Sequence, residues 1–236
     1  MFRPYIVGLG GTTREGSSTE KAISLALRAA ASQGADTLLL CGSDIDLPAY
    51  VSGAPSNTKA NRITAELGKA DGIILGTPGY HGGLSGLVKN ALDYTEDLGS
   101  DKRPYLEDRP VGCVVTAAGE QGAVTTLAAL RSVVHALRGW STPLGVTIVS
   151  SDQVFDAAGN CISPRIETQL RILSQQVVDF ARLTARADSN RRAEPDAEVP
   201  SDNSRASGKK RHRLVIESRY RPACTPSSDT DHYPDF

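Results

Sequence analysis

The sequence lacks an apolar run of the roughly 18 residues that a membrane helix needs, and its first residues, "MFRPYIVG", lack the apolar stretch of a signal peptide. An excess of one charge is also missing, since 26 lysines and arginines stand against 27 acidic residues for a net charge of −1. This balance gives no overall attraction to nucleic acid or to a membrane surface. We therefore expect a cytoplasmic protein with neither nucleic acid nor membrane as a partner.

Cysteines are few and far apart. The four are Cys41, Cys113, Cys161 and Cys224, and no two of them form the C-x-x-C pair of many redox and metal sites. Cys41 and Cys113 lie in or at the end of strand-like runs, where we expect small buried thiols. No metal ligands and no catalytic acid–base pair are assigned, and the sequence has no internal repeat.

Short apolar runs alternate with amphipathic segments. Five runs of strand length occupy residues 4–10, 36–42, 72–78, 111–118 and 145–150. Most are continuous rather than alternating, as in parallel strands covered on both faces. Helices are predicted at 17–33, 57–69, 84–94, 125–138 and from Pro164 to about Arg186. This alternation predicts an α/β fold, a doubly wound parallel five-stranded sheet over residues 1–186. Trp140 is expected to close the end of the fourth helix.

The composition changes after Arg186. Residues 187–236 are polar and rich in serine, proline and charge, so they bury too little apolar surface to offset the entropy of ordering. We expect a disordered tail. Its basic cluster "GKKRHR" at 208–213 has the composition of a nucleic-acid or localisation patch, but a solvated cluster is the preferred interpretation.

The first strand leads into the loop "GLGGTTREGSST" at 8–19. Ligands of an open parallel sheet bind beyond the carboxyl ends of its strands. Arg14 offers a charged planar fork for a phosphate, and the start of the next helix offers free amides. The loop also carries five hydroxyl side chains: Thr12, Thr13, Ser17, Ser18 and Thr19. These features predict a site for a phosphate monoester, with simple helix capping by Ser17 or Ser18 as the alternative.

Other phosphate motifs do not match this loop. No lysine follows Gly16, which excludes a Walker A loop, and the third glycine of G-x-G-x-x-G is missing. A low-molecular-weight phosphatase would need a cysteine here, and the loop has none.

Two further loops are suited to a flat ligand. The loop after the third strand contains Pro78, Gly79, Tyr80, His81, Gly82 and Gly83, whose glycines permit close backbone approach. The loop after the fourth strand, "TAAGEQGAV" at 116–124, contains Gly119 and Gly122. With strand order 2-1-3-4-5, all three loops converge at one edge of the sheet. One loop for a phosphate and two for a planar ring predict a site for flavin mononucleotide (FMN).

These motifs resemble those of the NADPH-dependent FMN reductase family. "GGTTREGSST" resembles its G-S-x-R-x-x-S-x-N loop, and "TPGYHGGLSGLVKNALDY" is similar to its P-x-Y-x-x-x-x-[SP]-G-x-L-K-N-A-[IL]-D-[WY] segment. The resemblance covers roughly residues 3–185. It implies a flavodoxin-like subunit that binds FMN non-covalently, in a homodimer or homotetramer, with the helix at 84–94 at the subunit interface.

The resemblance also implies residue roles. Thr12, Arg14, Ser17 and Thr19 would hold the phosphate, Pro78 to Gly83 would line the isoalloxazine, and Gly119 would lie near its far edge. The sequence departs from the family's usual residues at four named positions, with Thr12 for serine, Thr19 for asparagine, Gly79 for glutamate and His81 for asparagine. "AAGEQG" also lacks the paired glycine that many relatives carry.

The implied activity is hydride transfer from NADPH or NADH to flavin N5, reducing FMN or a small acceptor such as a quinone. Backbone amides after the fourth strand would stabilise charge on the reduced ring, so no catalytic side chain is expected. A flavin-dependent monooxygenase is a potential partner if reduced FMN is released. His81 either contacts the ligand or is a surface residue. Two alternatives stay open: a flavodoxin-type electron carrier without nicotinamide activity, and a family member that has lost its flavin.

Overall fold

Strands and helices alternate along the chain as predicted. The computed structural model describes residues 2–193. They contain seven strands: β1 (Tyr5–Gly10), β2 (Asp36–Leu40), β3 (Gly72–Tyr80), β4 (Gly83–Leu84), β5 (Pro110–Ala117), β6 (Trp140–Ser141) and β7 (Val146–Val149). They also contain five α-helices: α1 (Ser18–Ser32), α2 (Thr58–Lys69), α3 (Gly86–Asp93), α4 (Glu120–Ala136) and α5 (Pro164–Ala193). Short 3₁₀ helices cover Gly42–Asp44 and Tyr94–Leu98. None of the described helices combines the length and apolar character needed to cross a membrane.

The sheet has the predicted order. β2, β1, β3 and β5 lie side by side in parallel, and β6 and β7 both pair with β5 in parallel. β6 pairs with the start of β5 and β7 with its end, so together they occupy the fifth position. The order 2-1-3-4-5 is confirmed. The described part has two strands more than predicted, because Pro143 separates β6 from β7 and because the end of β3 folds back onto β4.

Both faces of the sheet are buried. On one face Val7 of β1 belongs to a core cluster with side chains of α2, α3 and α4. On the other face its neighbour Ile6 belongs to a cluster with side chains of α1 and α5. This arrangement explains the continuous apolar runs, because alternate residues of each strand meet a different helical layer. Cys113 belongs to the first cluster and is 1% exposed, as predicted for a small buried thiol, whereas Cys41 is half-buried.

Two helices differ from their predicted bounds. α4 begins at Glu120 rather than at 125, with Gly119 as its N-cap residue. The predicted loop 116–124 is therefore mostly the end of β5 and the first turns of α4. Glu120 in the first turn interacts favourably with the helix dipole, and the packing of buried residues of α4 outweighs the helix-weakening Gly122. α5 continues past Arg186 to Ala193, in a stretch without glycine or proline. The rest of the predicted tail lies outside the described residues, and the division at residue 186 stays a prediction.

The prediction for Trp140 is wrong. The residue begins the short edge strand β6 and is 57% exposed, so it does not close the end of α4. Its ring instead packs against Phe180 of α5, with 5.8 Å between centroids. The edge position of β6 leaves one side of the ring uncovered.

A buried arginine joins α2 to the start of β5. Arg109 is 1% exposed and donates hydrogen bonds from Nε to the Ala70 carbonyl at 3.0 Å and from Nη2 to the Gly68 carbonyl at 2.5 Å. Nη1 donates to the carbonyls of Tyr105 and Glu107 at 3.2 and 3.4 Å. Burial lowers the pKa of Arg109 to about 10, which still leaves it protonated at neutral pH. Arg109 therefore satisfies carbonyl groups that the end of α2 leaves without helical partners.

We expect Arg109→Ala to destabilise the fold strongly. The buried Ala70 carbonyl and the partly buried Gly68 carbonyl would lose their donor, at about 1–3 kcal/mol each, or about 2–6 kcal/mol in total. Urea unfolding of both proteins measures the loss.

Arg3→Ala is the matched control, because Arg3 is a 66% exposed arginine whose bond to Asp36 lies at the surface. Its loss is expected to cost less than about 1 kcal/mol. Equal effects of the two substitutions would contradict the role assigned to Arg109.

Candidate functional site

A pocket of about 230 Å³ lies beyond the carboxyl ends of β1, β3, β5 and β7. It brings together eight of the twelve predicted site residues: Thr12, Arg14, Ser17, Ser18, Thr19, Pro78, Gly79 and Tyr80. Thr116, Ala117, Ala118 and Ser150 complete the lining. The pocket therefore joins the loop after β1 to the end of β3, at the point where the strand order reverses.

The loop after β1 starts at a close contact between two strands. Gly10 has φ +135°, and a Cβ atom at this residue would lie 1.8 Å from the carbonyl oxygen of Gly76 in β3. The next amide, of Gly11, donates to that same oxygen at 3.1 Å. Glycine is required at position 10, because any side chain would force β1 and β3 apart where the loop leaves the sheet.

Thr12 folds the loop into a local turn that presents Arg14. The Thr12 hydroxyl accepts a hydrogen bond from the Arg14 amide and donates to the Arg14 carbonyl, both at 3.2 Å. The Arg14 side chain is exposed and makes no ion pair with any residue in the range 2–193. None of the described lining residues is a carboxylate. A permanent positive charge without a counter-charge favours an anionic ligand.

Ser17 caps α1, as one interpretation of the sequence proposed. Its Oγ accepts from the Glu20 amide at 3.3 Å, and the Glu20 carboxylate accepts from the Gly16 amide at 3.0 Å. The amides of Ser18 and Thr19 stand at the start of the helix, where α-helical geometry provides no carbonyl partner. Capping and anion binding are therefore compatible here, because the cap uses an acceptor lone pair of Ser17 and leaves its hydroxyl hydrogen and two amides available.

The side chain of Thr19, which was expected to hold the phosphate, is buried against β5. It is 1% exposed, and its hydroxyl lies 2.6 Å from the hydroxyl of Thr116 in β5. One hydroxyl of the pair donates to the other, so one hydrogen remains for a ligand. Thr116 was not predicted as a site residue, although it lies at the carboxyl end of the apolar strand β5.

The second wall of the pocket is a hairpin. β3 continues through Pro78 and Gly79 to Tyr80 and then pairs with β4 in antiparallel fashion. His81 and Gly82 form the two-residue turn with φ of +52° and +80°, the sign of φ that a type I′ turn requires at both positions. The predicted loop is therefore an ordered extension of the sheet.

Close packing restricts the residue at position 79. A Cβ atom on Gly79 would lie 2.7 Å from Oγ1 of Thr126 in α4 and 3.2 Å from Cβ of Ala117. The approach of α4 therefore explains why glycine stands where many family members carry glutamate.

Four predicted residues do not line the pocket: His81, Gly82, Gly83 and Gly119. His81 is exposed at the tip of the hairpin, and Gly119 lies at the start of α4 with open space around its Cα. Three lining residues lie in or directly after β5, inside the segment 116–124 that was predicted to face the ring. Ser150 was missed, although it directly follows the last strand of the sheet.

A thiol near this loop is chemically inert. A Cβ atom on Gly11 would lie 3.8 Å from Cβ of Cys41. Burial, followed by the nearby carboxylates of Glu20 and Asp44, raises the pKa of the Cys41 thiol to about 11. The protonated thiol is a poor nucleophile at neutral pH. No nucleophilic role is therefore assigned to Cys41.

The helix with the "KNALDY" motif organises an adjacent loop. Asn90 of α3 accepts a hydrogen bond from the Tyr50 amide at 2.8 Å and donates to the Pro48 carbonyl at 2.8 Å. The Tyr94 hydroxyl donates to the same carbonyl at 3.1 Å, and its ring meets that of Tyr50 edge-on at 5.1 Å. Tyr94 is therefore a packing residue.

Solved structures share this architecture. The flavoenzyme NAD(P)H:(acceptor) oxidoreductase FerB of Paracoccus denitrificans aligns with a TM-score of 0.64 at 19% identity, covering 76% of this chain and 98% of its own. A flavodoxin, WrbA-like protein of Agrobacterium tumefaciens aligns with a TM-score of 0.54 at 19% identity, covering 76% and 98%. At such low identity these likenesses show the fold, and the flavodoxin-like prediction is confirmed.

Sequence comparison is more specific. An FMN-dependent NADPH-azoreductase of Staphylococcus aureus (strain USA300) is 36% identical over 116 residues, which cover 47% of this chain and 56% of that protein. The chain thus spans about half the length of the curated relatives it matches. The family described as NADPH-dependent FMN reductase matches residues 4–153, well over half of the chain. The predicted resemblance is confirmed: this chain belongs to the NADPH-dependent FMN reductase family.

Proposed function

We propose that this protein binds FMN in the pocket at Arg14 and uses it for NAD(P)H-dependent reduction of a small acceptor. The observation that carries the proposal is the lining itself. An arginine without a counter-charge stands at one side of the pocket, and the ordered hairpin arm Pro78–Tyr80 stands at the other. The pocket therefore suits a single ligand that carries both a phosphate and a planar ring.

The chain's own groups suit each part of FMN. Arg14, Ser17 and the first amides of α1 would bind the phosphate, since charge-assisted hydrogen bonds at a helix start favour a dianion. Pro78, Gly79 and Tyr80 would lie against the isoalloxazine, with Ala117 and Ala118 at its other side. When bound, FMN supplies the capacity to accept a hydride from a nicotinamide and to pass electrons on.

The start of α4 would stabilise the reduced ring. α4 begins two residues after Ala118, so unpaired amides of its first turn stand beside the ring end of the pocket. Such amides favour negative charge without any proton transfer. The sequence predicted this role for the backbone amides after the fourth strand, and it involves no catalytic side chain.

The openness of the pocket favours an enzyme over an electron carrier. Tyr80 is 56% exposed, and it is the only aromatic residue among the described lining residues. One face of a bound ring would remain accessible to a nicotinamide and then to an acceptor. The acceptor class includes free FMN, a quinone and, from the name of the Staphylococcus aureus relative, an azo compound.

A second copy of the chain would complete the site. A pocket of about 230 Å³ is smaller than the roughly 300–1,000 Å³ of pockets that enclose a ligand. Tyr80 and Val124 are exposed apolar side chains on the hairpin and on α4, 56% and 61% accessible. We infer a cytoplasmic homodimer or homotetramer, with a flavin-dependent monooxygenase as partner if reduced FMN is released.

The decisive experiment is a flavin titration followed by NADH and NADPH oxidation, with and without excess free FMN. We expect tight FMN binding and nicotinamide oxidation. A rate that rises with free FMN would identify a flavin reductase, whereas saturation with one bound flavin would identify an enzyme for another acceptor. Bound flavin that neither nicotinamide reduces would support the electron carrier. Absence of flavin binding would reject the proposal.

Arg14→Ala should weaken FMN binding by about 1.5–3 kcal/mol, or about 10- to 150-fold, because a charge-assisted hydrogen bond to the phosphate is lost. Quenching of flavin fluorescence measures the dissociation constant.

Arg62→Ala is the control, since Arg62 is an exposed arginine that pairs with Asp44 beside α2. Unchanged FMN affinity in the Arg14 variant would remove Arg14 from the site.

Gly79→Ala should weaken flavin binding and lower stability by about 1–3 kcal/mol, since overpacking against Thr126 and Ala117 displaces the hairpin. Thermal unfolding and flavin titration report the two effects, and adding Thr126→Ala should restore part of both.

Gly86→Ala serves as the comparison, because nothing lies within 4 Å of a Cβ atom there. A Gly79 variant that behaves like the Gly86 variant would refute the packing argument.

A further inference from the structure

A second pocket adjoins the first beyond its phosphate end. It has a volume of about 270 Å³ and lies between α1 and the segment that follows β7. Ser18 and Ser150 line both pockets, so the two share a wall. The other residues around the second pocket are Lys21, Ile148, Ser151, Asp152, Gln153, Val154 and Phe155. The second pocket is therefore a direct neighbour of the one at the first loop.

Lys21 carries a charge that the fold does not use. It lies one helical turn after the cap residue Ser17, and it forms no ion pair or side-chain hydrogen bond within residues 2–193. A Cβ atom on Gly16 would lie 3.9 Å from its Cε atom, and one on Gly159 would lie 3.5 Å from it. The aliphatic stem of Lys21 is thus held between the phosphate loop and the segment after β7. Because Arg14 is the cation proposed for the FMN phosphate, Lys21 is available for a second anionic group.

The segment after β7 is ordered by its own hydrogen bonds. Phe155 and Cys161 form an antiparallel bridge, and the Ile162 amide donates to the Val154 carbonyl at 2.8 Å. The Asp156 carboxylate accepts from the amide and side chain of Asn160 at 2.8 and 3.0 Å. These bonds hold the half-buried ring of Phe155 against the core beneath α1 and α5, at the edge of the pocket.

The lining combines three kinds of group. Lys21 and the hydroxyls of Ser18 and Ser151 suit a phosphate, whereas the Asp152 carboxylate suits a donor such as a ribose hydroxyl or an exocyclic amine. Phe155 adds an aromatic surface for a base. Because Lys21, Asp152 and Phe155 line one pocket, it suits a ligand that carries phosphate, hydroxyls and a base together.

We propose that this second pocket is a subsite for the adenosine diphosphate portion of a nucleotide, with Lys21 on a phosphate, Asp152 on the ribose or base and Phe155 against the adenine. The proposal rests on the proposed FMN site only for the position of the first phosphate. The adenosine diphosphate portion could belong to a dinucleotide flavin, FAD, or to the nicotinamide donor.

The test is calorimetric titration of the flavin-free protein with ADP, in the wild type and in Lys21→Met, which keeps the aliphatic stem and removes the charge. We expect ADP to bind the wild type and the variant to bind it about 10- to 100-fold more weakly, the range for a hydrogen bond to a charged group. Lys69→Met is the control, because Lys69 is a helical lysine that pairs with Glu66 at the far end of α2.

Two further measurements separate the sources of the ligand. If the subsite serves the flavin, FMN displaces ADP, and Lys21→Met loses affinity for FAD far more than for FMN. If it serves the donor, ADP binds alongside FMN, and Lys21→Met raises the KM for the nicotinamide.

Absence of ADP binding to the wild type at millimolar concentration would overturn the proposal, as would equal ADP, FAD and donor affinities in both proteins. Failure of the proposed function is a separate outcome, since it appears as a wild type that does not bind FMN, whereas the ADP titration needs no flavin.

Discussion

The close approach of β1 and β3 at their carboxyl ends is the constraint on which the site depends. The Gly76 carbonyl occupies the space that a side chain on Gly10 would need, with 1.8 Å between the oxygen and a Cβ position. The strand order reverses between β1 and β3, so the helices that follow these two strands, α1 and α3, cover opposite faces of the sheet. The crevice between the loops is a consequence of that reversal. The hydroxyl side chains and Arg14 line the same pocket because the strands bring their loops to one edge of the sheet.

The residues around the crevice divide into a charged part and a planar part. Arg14 presents positive charge on an exposed side chain and the start of α1 presents it on backbone amides, whereas Pro78 to Tyr80 are part of β3. A sheet extension suits a planar ring, because the orientation of a reacting ring affects the rate. An exposed arginine suits a phosphate, because it supplies a permanent positive charge. The same division extends to the neighbouring pocket, where Lys21 stands opposite the ordered segment with Phe155.

Several elements show where local pattern predicts structure and where it does not. Continuous apolar runs identified the parallel strands because both faces of those strands are covered by helices. Gly122 and Gly119 suggested a loop, yet α4 begins at Glu120, since tertiary packing of α4 outweighs the weak helix propensity of one glycine. β6 was not predicted, because two residues beside a proline carry no periodicity. Trp140 was expected to close the end of the fourth helix, whereas it begins an edge strand and is exposed.

The sequence by itself determined the fold class, the family and the loop that carries Arg14, because hydrophobic runs and a contiguous polar motif are local properties of the chain. The tertiary structure alone decided which of those residues share a pocket. Thr116 of β5 and Ser150, which directly follows β7, line the same pocket as Arg14. The hydroxyl of Thr19 contacts that of Thr116, and His81 lies at the tip of a hairpin. Lys21 of α1 lines a pocket only because the segment after β7 lies next to it in the folded chain. Contacts between residues far apart in the chain depend on packing, which no single stretch of sequence encodes.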